Sequence, residues 1–340
     1  GVSDITAVNR SIKPLNQALE DGCIKRGFSE VNEHVFKSDI VFICTPVKTT
    51  LHYIDILAGN VKPGSIITDV GSTKSEINGY VDSLPSSPCF VGGHPMTGTE
   101  KAGYEAGFAH LFENAYYILT PCKSTTDYAL DRMFGIINAI GGIPCVLGAE
   151  EHDRITGTIS HVPHIIASAL VNLVRESDTH DGKMQMLAAG GFKDITRIAS
   201  SSPEMWESII LSNKPHVDAI LNEYVKIIER FRNSVTCDDS REIYNFFESA
   251  GKFRNSIPSN IKGLLSPVYE IVVDVVDKPG IIGKIATIIG DNNINIKNIN
   301  VSNSREFEQG CLRITLPDVE SMNLAYDLLH RHEYKVYKIS

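Results

Sequence analysis

Cysteine is sparse in this sequence, and its spacing argues against two common frameworks. The 340 residues include seven cysteines, and no two of them form a Cys-x-x-Cys pair. Disulfide-rich secreted domains and zinc ribbons both depend on regularly spaced cysteines. Scattered cysteines are typical of reduced thiols, so we predict a cytoplasmic protein.

Positive charge is also in deficit. The chain carries 32 Lys and Arg against 41 Asp and Glu, which gives a formal net charge of −9. This balance argues against nucleic acid or an anionic membrane as a partner, and an anionic substrate would need a local cluster of cations. Apolar runs stay well short of the roughly 18 residues that a membrane-spanning helix needs, and no signal peptide is visible. We therefore expect no membrane segment.

Alternating β-rich and helical stretches fill residues 1–148. The β-rich runs are 5–8, 39–44, 65–70, 88–92, 116–119 and 144–147, and helical patterns separate them at 13–21, 51–58, 74–83 and 125–140. Such alternation predicts an α/β domain with a Rossmann-like parallel sheet that is covered on both faces. In sheets of this kind, ligands bind outside the carboxyl ends of the strands.

Three successive strands of this series end on residues suited to chemistry. These ends read Thr45-Pro46, Gly71-Ser72-Thr73-Lys74 and His94-Pro95. Each alone is ordinary turn chemistry, but three at one edge of a sheet favour a site. We predict that His94 lies in a turn after its strand, where the following proline restricts its backbone. A rigidly held histidine suits proton transfer near neutral pH, although a hydrogen-bonded structural role fits the same position.

Four motifs stand in one order along the chain. They are Asp-Val-Gly-Ser-Thr-Lys (69–74), Val-Gly-Gly-His-Pro-Met-Thr-Gly-Thr-Glu (91–100), Ser-His-Val-Pro-His (160–164) and Gly-Gly-Phe-Lys-Asp-Ile-Thr-Arg-Ile-Ala (190–199). Together they closely resemble the prephenate dehydrogenase family of tyrosine biosynthesis, over nearly the whole chain. The resemblance implies oxidative decarboxylation of prephenate to 4-hydroxyphenylpyruvate, with hydride transfer to NAD or NADP. Arogenate dehydrogenase and a non-catalytic amino-acid sensor with a degenerate nucleotide domain are the alternatives.

The resemblance also implies roles for individual residues. His94 would accept the proton of the substrate hydroxyl as the catalytic base, and Ser72 would bond the same hydroxyl. Substrate-binding residues would be Arg197, His164, Lys193, Trp206 and His152.

The residues themselves leave other roles open for part of this set. Lys193 and Arg197 also fit the solvated start of a helix, although arginine is well shaped to grip a carboxylate. Trp206 fits a core position equally well. His161 and His164 share one helix face, but no third ligand is spaced to help them, so we predict no metal site.

The cofactor end of the first domain departs from the family pattern. That pattern opens with a strand, a Gly-x-Gly-x-x-Gly turn and a helix, and no such turn occurs in this segment. We expect about 30 further residues, one strand–turn–helix unit, to precede the first strand. The first strand present leads to Arg10 without an acidic residue, so NAD and NADP both stay open. The expected cofactor-binding residues are Arg10, Thr45, Pro46 and Ser72.

Helical patterns replace the strands over residues 149–263. They cover 151–176, 183–189, 203–233 and 240–256, and the third is interrupted near Lys214-Pro215. Apolar residues recur there at spacings of three and four, which predicts an all-α domain with helix-on-helix packing. The resemblance implies that this domain carries substrate contacts and forms the core of a homodimer.

Strands return in residues 264–340. Strands at 269–276, 294–301, 311–316 and 334–337, with helices at 279–291 and 319–330, give the βαββαβ order of a ferredoxin-like fold. Asp-Lys-Pro-Gly-Ile-Ile (277–282) and Asn-Ile-Asn-Ile (293–296) resemble an ACT domain, a regulatory amino-acid-binding module. This resemblance implies effector contacts at Asp277, Gly280 and Asn295, and we expect tyrosine to be the effector.

Overall fold

The protein is described from a computed structural model, over residues 4–98, 103–257, 269–276, 278–302 and 311–339. Asp277, one of the expected effector contacts, lies outside the described residues. The chain divides into two compact units, Gly1–Ile257 and Pro258–Ser340. Each unit is taken separately below.

The first part of unit one is an α/β domain of seven strands and five helices in the described residues. Its strands are β1 Thr6–Val8, β2 Arg26–Phe28, β3 Ile40–Ile43, β4 Ile66–Asp69, β5 Phe90–Pro95, β6 Tyr116–Pro121 and β7 Ile143–Val146. Its helices are α1 Ile12–Glu20, α2 Glu33–Phe36, α3 Val47–Ala58, α4 Ser75–Ser83 and α5 Asp127–Ala139. The sequence patterns missed β2 and α2, because three or four residues are too few for a periodic pattern to repeat.

The Rossmann-like α/β prediction is confirmed, with two departures: the strands form two sheets, and one neighbouring pair of the main sheet is antiparallel. The main sheet has the order β3-β4-β5-β6-β7, and β1 pairs with β2 in a separate two-stranded parallel sheet. All neighbours in the main sheet are parallel except β5 and β6. A parallel pair needs a crossover, usually a helix. The described part of the link between β5 and β6 contains only a short 3-10 turn, Tyr104–Ala106, so the chain doubles back.

Apolar side chains cover both faces of the main sheet. On one face, Ile67 and Phe90 pack in a cluster with residues of α3 and α4, such as Ile54. On the other face, Ile66 and Val91 pack in a cluster with residues of α5. This split follows from the alternation of side chains along a strand. The prediction of a sheet covered on both faces is confirmed for the five-stranded sheet.

The second part of unit one is helical, as predicted. Its helices are α6 Ala149–Thr156, α7 Val162–Ser177, α8 Lys183–Leu187, α9 Gly190–Thr196, α10 Pro203–Ser212, α11 Lys214–Thr236 and α12 Ser240–Ser256. A single π-helical turn, Gly157–His161, joins α6 to α7, so the predicted helix over 151–176 is not uniform. The predicted interruption near Lys214-Pro215 is confirmed, since only Asn213 separates α10 from α11.

The continuous helical stretch Ala149–Ser177 is more apolar than the sequence analysis expected. By length and composition alone this stretch could cross a membrane. Its most apolar 18-residue segment has a mean hydropathy of 1.3, and 22% of that segment is buried within the protein. Length and composition alone are weak evidence. The same stretch carries buried His152, Asp153 and His161, which hydrogen-bond to neighbouring groups. Such a network is typical of a helix in a folded domain, so we assign it no membrane role.

Many large apolar side chains of the helical part remain exposed. These include Ile159, Val171, Leu173, Leu211, Val225, Ile228, Val235, Phe247 and Phe253. These exposed side chains make the helical part a candidate surface for contact with another chain.

Unit two has the predicted βαββαβ order. Its elements are β8 Tyr269–Asp274, α13 Ile281–Gly290, β9 Asn298–Ser302, β10 Cys311–Leu316, α14 Val319–Arg331 and β11 Lys335–Ile339. The four strands form an antiparallel sheet in the order β11-β8-β10-β9. Inward side chains such as Ile271, Ile285 and Leu329 make one core between the sheet and the two helices. The ferredoxin-like prediction is confirmed, but β9 begins later than predicted, so Asn295 precedes the strand.

Candidate active site

His94 lies within β5 and not in a turn after it. The residue is paired with Ile118 of the antiparallel strand β6. The sequence analysis ended this strand at residue 92 because Gly-Gly-His-Pro reads as a turn. Pairing with β6 supplies the ladder that keeps residues 93–95 extended. The ring is therefore held by the sheet itself, which is more rigid than the turn that was predicted.

Gly93 brings the ends of β4 and β5 close together. A Cβ atom at this position would lie 2.5 Å from the carbonyl oxygen of Asp69, so a larger residue would push the strands apart. The Asp69 carboxylate accepts hydrogen bonds from the backbone N–H groups of Gly93 at 3.2 Å and Gly71 at 2.8 Å. This carboxylate therefore fixes both the strand that carries His94 and the turn that carries Ser72.

Lys74 is a fully buried cation that completes this junction. Its Nζ donates to the Asp69 carboxylate and, at 2.6 Å, to the carbonyl oxygen of Gly93. Burial lowers the pKa of Lys74, and the Asp69 carboxylate opposes that shift. The sequence analysis gave neither residue a role. The available signal was an aspartate that ends an apolar strand and a lysine five positions later.

Replacement of Lys74 by methionine should destabilise the fold strongly. The change leaves the Asp69 charge buried without its cation, which costs about 3–5 kcal/mol. The matched control is Lys62→Met, because Lys62 pairs with Asp39 at 2.5 Å but both side chains are exposed. An exposed pair contributes about 0–1 kcal/mol. Denaturant unfolding of both variants measures the difference, and equal losses would contradict a structural role for the buried pair.

A hydrogen-bonded chain of side chains lies behind His94. Nδ1 of His94 lies 2.8 Å from Nε2 of His152, and Nδ1 of His152 lies 2.7 Å from Oδ1 of Asp153. The His152 and Asp153 side chains are completely buried. The predicted substrate contact for His152 does not fit this burial, because the ring packs against His94 and not against an open pocket. Asp153 was not predicted at all.

The environment keeps the His94 ring uncharged at neutral pH. Burial lowers the pKa of His94 well below 6.5, and the nearby His152, Lys74 and His161 lower it further. A neutral imidazole has a lone pair that can accept a proton. This electrostatic setting suits a general base.

His161 ties the helices together beneath the site. Its Nδ1 lies 3.0 Å from Nδ2 of Asn213, which also donates to the carbonyl oxygen of Asp153 at 2.8 Å. Burial lowers the pKa of His161 to about 4. Its contacts are those of a structural residue. Among the described residues, no three His, Cys, Asp or Glu side chains are placed to hold a metal ion.

His164, Trp206 and Arg197 converge from three elements. The His164 ring stacks on Trp206 with 3.8 Å between ring centroids, and its Nδ1 lies 2.8 Å from the Ser160 carbonyl oxygen. Burial lowers the pKa of His164, and the Arg197 charge lowers it further. Arg197 is therefore close to this stacked pair, and it begins a 3-10 turn directly after α9. The indole N–H of Trp206 is buried with no hydrogen-bond partner in the described part of the chain.

Electrostatic coupling links these residues to His94. His161 acts on the pKa of His94, His164 acts on that of His161, and Arg197 acts on that of His164. The helical part thus carries a cation and a stacked aromatic pair on the same series of electrostatically coupled groups that ends at the base on β5. Lys193 is exposed on α9, and among the described residues no hydrogen bond or ion pair ties it to the stacked pair.

The expected cofactor residues lie at the carboxyl ends of the strands. Strands β3, β4 and β5 are parallel, so the turns at Thr45 and Ser72 share one sheet edge with His94. The Thr45 and Thr50 hydroxyl oxygens lie 3.0 Å apart, and Pro46 begins α3 without a side-chain cap. Arg10 is exposed after β1.

These residues fit one end of a dinucleotide better than the other. The uncapped N-terminus of α3 and the half-buried Ser72 offer donors at the sheet edge where a nicotinamide ring and its ribose would lie. The described residues of the α/β domain contain no Gly-x-Gly-x-x-Gly turn for the pyrophosphate.

Family comparisons agree with this geometry. Residues 4–144 match the prephenate dehydrogenase nucleotide-binding domain, and residues 148–249 match the prephenate dehydrogenase dimerization domain. The chain belongs to the prephenate dehydrogenase family. Residues 269–320 match the ACT domain. The resemblance inferred from the four motifs and from the ACT-like segments is thus confirmed.

Individual relatives support the same assignment. The chain is 38% identical to the prephenate dehydrogenase of Bacillus subtilis (strain 168) over 336 residues, which cover 98% of this chain and 91% of that protein. It is 33% identical to the prephenate dehydrogenase of Lactococcus lactis over 322 residues, 93% of this chain and 88% of that one. Prephenate dehydrogenase from A. aeolicus, solved with hydroxyphenyl propionate and NAD+, has a TM-score of 0.70 and 30% identity, and covers 75% of this chain and 89% of its own.

The described effector residues lie on either side of α13. Gly280 caps the N-terminus of this helix with φ of +87°, a backbone conformation that favours glycine. Asn295 is exposed in the segment before β9. Gly280 is compatible with a ligand turn at the start of α13, whereas Asn295 lies beyond the other end of this helix.

Proposed function

We propose that this protein oxidises and decarboxylates prephenate to 4-hydroxyphenylpyruvate, with a nicotinamide dinucleotide as the hydride acceptor. The observation that carries the proposal is the neutral His94 ring on β5, held at the carboxyl edge of the sheet that also carries the turns at Thr45 and Ser72. The helical part adds Arg197 beside the stacked rings of His164 and Trp206. Membership of the prephenate dehydrogenase family supports the choice of reaction. The A. aeolicus relative was solved with NAD+, which supports a nicotinamide cofactor here.

His94 would act as the general base. As the hydroxyl-bearing carbon loses hydride, the hydroxyl proton moves to the ring nitrogen that has the free lone pair. A nicotinamide cofactor, when bound at this sheet edge, would supply the hydride acceptor. Carbon dioxide leaves from the opposite ring carbon, the electrons of the broken carbon–carbon bond enter the ring, and the ring becomes aromatic. The proton held by His94 would then return to the phenolate oxygen of the product. Ser72, in the turn after β4, would bond the same hydroxyl and align it.

Arg197 would hold the substrate by a carboxylate. Its guanidinium group can make two parallel hydrogen bonds to one carboxylate, which fixes orientation as well as position. The stacked His164 and Trp206 rings would form a wall beside it, with Lys193 as a further cation on α9. Together these groups meet an anionic substrate in a chain whose net charge is negative.

A substrate and cofactor assay tests the proposed function. The full-length protein is incubated with prephenate or arogenate, each with NAD or NADP, and reduced cofactor is followed by absorbance. We expect the protein to turn over prephenate. Comparison of the four substrate and cofactor combinations also shows whether NAD or NADP is preferred. Preference for arogenate would reassign the substrate. Tyrosine binding without any turnover would instead support the amino-acid sensor.

We further propose a cytoplasmic homodimer built on the helical part. The exposed apolar side chains of α7 and α10–α12 would be covered by a second copy, and the match to a dimerization domain supports this. Light scattering on the purified protein should give the mass of two chains. Replacement of exposed Phe253 by aspartate should shift that mass towards one chain, whereas Phe108→Asp in the α/β domain should not.

Tyrosine should inhibit the enzyme through the ACT domain. The rationale is an amino-acid-binding module fused to an enzyme whose product is one transamination from tyrosine. Replacement of Asn295 by alanine should weaken inhibition about 5–150-fold, the range expected for coupling of 1–3 kcal/mol. Asn292→Ala is the control, because Asn292 is also exposed but bonds the carbonyl oxygen of Ile288. Purely competitive inhibition that Asn295→Ala leaves unchanged would show that tyrosine occupies the prephenate pocket instead.

A further inference from the structure

We propose that His152 and Asp153 are positioning residues that fix the tautomer of His94, so that Nε2 of His94 is the atom that accepts the substrate proton. This inference rests on the proposed function and deepens it. It names the nitrogen that reacts, and it gives His152 and Asp153 a role in catalysis beyond packing.

Asp153 lies at the far end of this chain of side chains, and both of its carboxylate oxygens accept hydrogen bonds. Its Oδ1 receives the backbone N–H of Lys74 at 2.7 Å, and its Oδ2 receives that of Ser75 at 2.8 Å. Backbone N–H groups are always donors, so both oxygens are used as acceptors. Burial alone raises the pKa of Asp153, but hydrogen bonds from His152, Ser75 and Lys74 outweigh it and lower the pKa. The carboxylate is therefore ionised at neutral pH.

The ionised carboxylate sets the tautomer of His152. Nδ1 of His152 lies 2.7 Å from Oδ1 of Asp153, so this nitrogen must carry the hydrogen. In a neutral ring the other nitrogen, Nε2, then has a lone pair and accepts. Each nitrogen–oxygen or nitrogen–nitrogen contact in this chain of side chains then contains one hydrogen, so every donor faces an acceptor.

The tautomer of His94 follows from that of His152. Nδ1 of His94 lies 2.8 Å from Nε2 of His152, so Nδ1 of His94 carries the hydrogen and donates it. Nε2 of His94 is left with the lone pair. When that nitrogen takes the hydroxyl proton, the new positive charge is stabilised by the Nδ1 hydrogen bond and, beyond it, by the Asp153 carboxylate. The same logic of base and orienting acid operates in serine-hydrolase triads.

Asp153 also connects this orientation to the turn that carries Ser72. Its carboxylate receives the first backbone N–H groups of α4, directly after residues 71–73, and Thr73 Oγ1 lies 2.8 Å from Ser212 Oγ. One carboxylate thus orders the base through His152 and the hydroxyl-binding turn through the backbone. Because it performs both functions, a variant at Asp153 would be hard to interpret, and the test is better placed at His152.

The test compares His152→Phe with His152→Gln in the full-length protein. Phenylalanine keeps the ring volume but removes the acceptor, whereas the glutamine side chain has a carbonyl oxygen that can accept from Nδ1 of His94. We expect His152→Phe to lower kcat about 100-fold with the KM for prephenate changed by less than about threefold, and His152→Gln to recover at least about tenfold of that loss. His216→Phe is the control, since His216 pairs only with Glu150 at 2.9 Å in the contacts described.

Nitrogen-15 NMR of the histidine rings gives a readout that needs no turnover. The His94 resonances are identified by their absence from a His94→Asn sample. We expect Nδ1 of His94 to be protonated and Nε2 to be bare, and His152→Phe to populate the other tautomer. This result would stand even if prephenate were not the substrate, so failure of the proposed function is separable from failure of the positioning pair.

Three outcomes would overturn the proposal. The first is an Nε2-protonated His94 in the unmodified protein. The second is a His152→Phe variant that raises KM with kcat unchanged, which would place His152 against the substrate. The third is that the phenylalanine and glutamine variants are equally active and only their thermal stability is lower. His152 and Asp153 would then serve only to pack the interior. If His152→Phe does not fold, the tautomer in the unmodified protein and the activity of His152→Gln still decide.

Discussion

Replacement of His94 by asparagine should lower kcat about 10²–10⁴-fold, the usual contribution of a positioned acid–base group. Asparagine preserves polarity and much of the volume but cannot take up a proton. Substrate affinity should change little, because the contact of His94 is mainly with charge that develops as hydride leaves. Stopped assays of kcat and KM with prephenate measure both effects. Near-normal turnover would remove His94 from the role of base.

The pH profile provides an independent check on this prediction. Neutral His94 is the active form, so kcat/KM of the unmodified enzyme should fall as the pH drops through the pKa of His94. Since burial lowers that pKa well below 6.5, activity should persist below pH 6.5 before it declines. The His94→Asn variant should lack this acidic limb. His110→Asn, at an exposed ring that pairs with Glu113, should retain it.

Replacement of Arg197 by alanine should act mainly on substrate binding. Loss of one partner from a charge pair that is desolvated when substrate binds costs about 3–5 kcal/mol, or about 10²–10³-fold or more in affinity. The KM for prephenate should rise accordingly while cofactor affinity is unchanged. Arg197→Lys should recover only part of the loss, because an ammonium group cannot make two parallel hydrogen bonds.

The control for this variant is Arg175→Ala, which removes an exposed arginine of the same helical part that pairs with the adjacent Glu176. It should leave KM unchanged. Equal weakening of prephenate and cofactor binding by Arg197→Ala would show instead that Arg197 supports the fold. Titrations of each ligand, followed by intrinsic fluorescence of the single tryptophan, distinguish the two cases.

Local patterns predicted much of the fold. Helix α12 and strand β10 begin and end where the patterns place them, because each is a clean periodic run bounded by turn residues or charge. The antiparallel pairing of β6 was not predictable in this way. It depends on the link after His94, whose described part contains no crossover helix, and on pairing partners that lie far apart in sequence.

The geometry of the candidate site was harder to predict than the residues proposed for it, and those residues stay a prediction. The sequence placed His94, Ser72 and Arg197 in one functional set, and the spacing of His161 and His164 indicated a shared helix face. It gave no sign that His152 lies behind His94, because that contact joins residues 58 positions apart. The buried pair of Asp69 and Lys74 was missed for a different reason. Charged residues in a turn read as solvated unless their burial is known.

Because of the π-helical turn at Gly157–His161, the activity should depend on the number of residues in this helix. A π turn accommodates one residue more than an α turn, and each residue rotates an α-helix by about 100°. Upstream of the turn, His152 faces the base; downstream, His164 faces Trp206. Loss of a single residue between them would rotate one face away from its target, whatever residue was lost. Homologous chains that keep this chemistry should therefore tolerate substitutions in the turn far better than deletions.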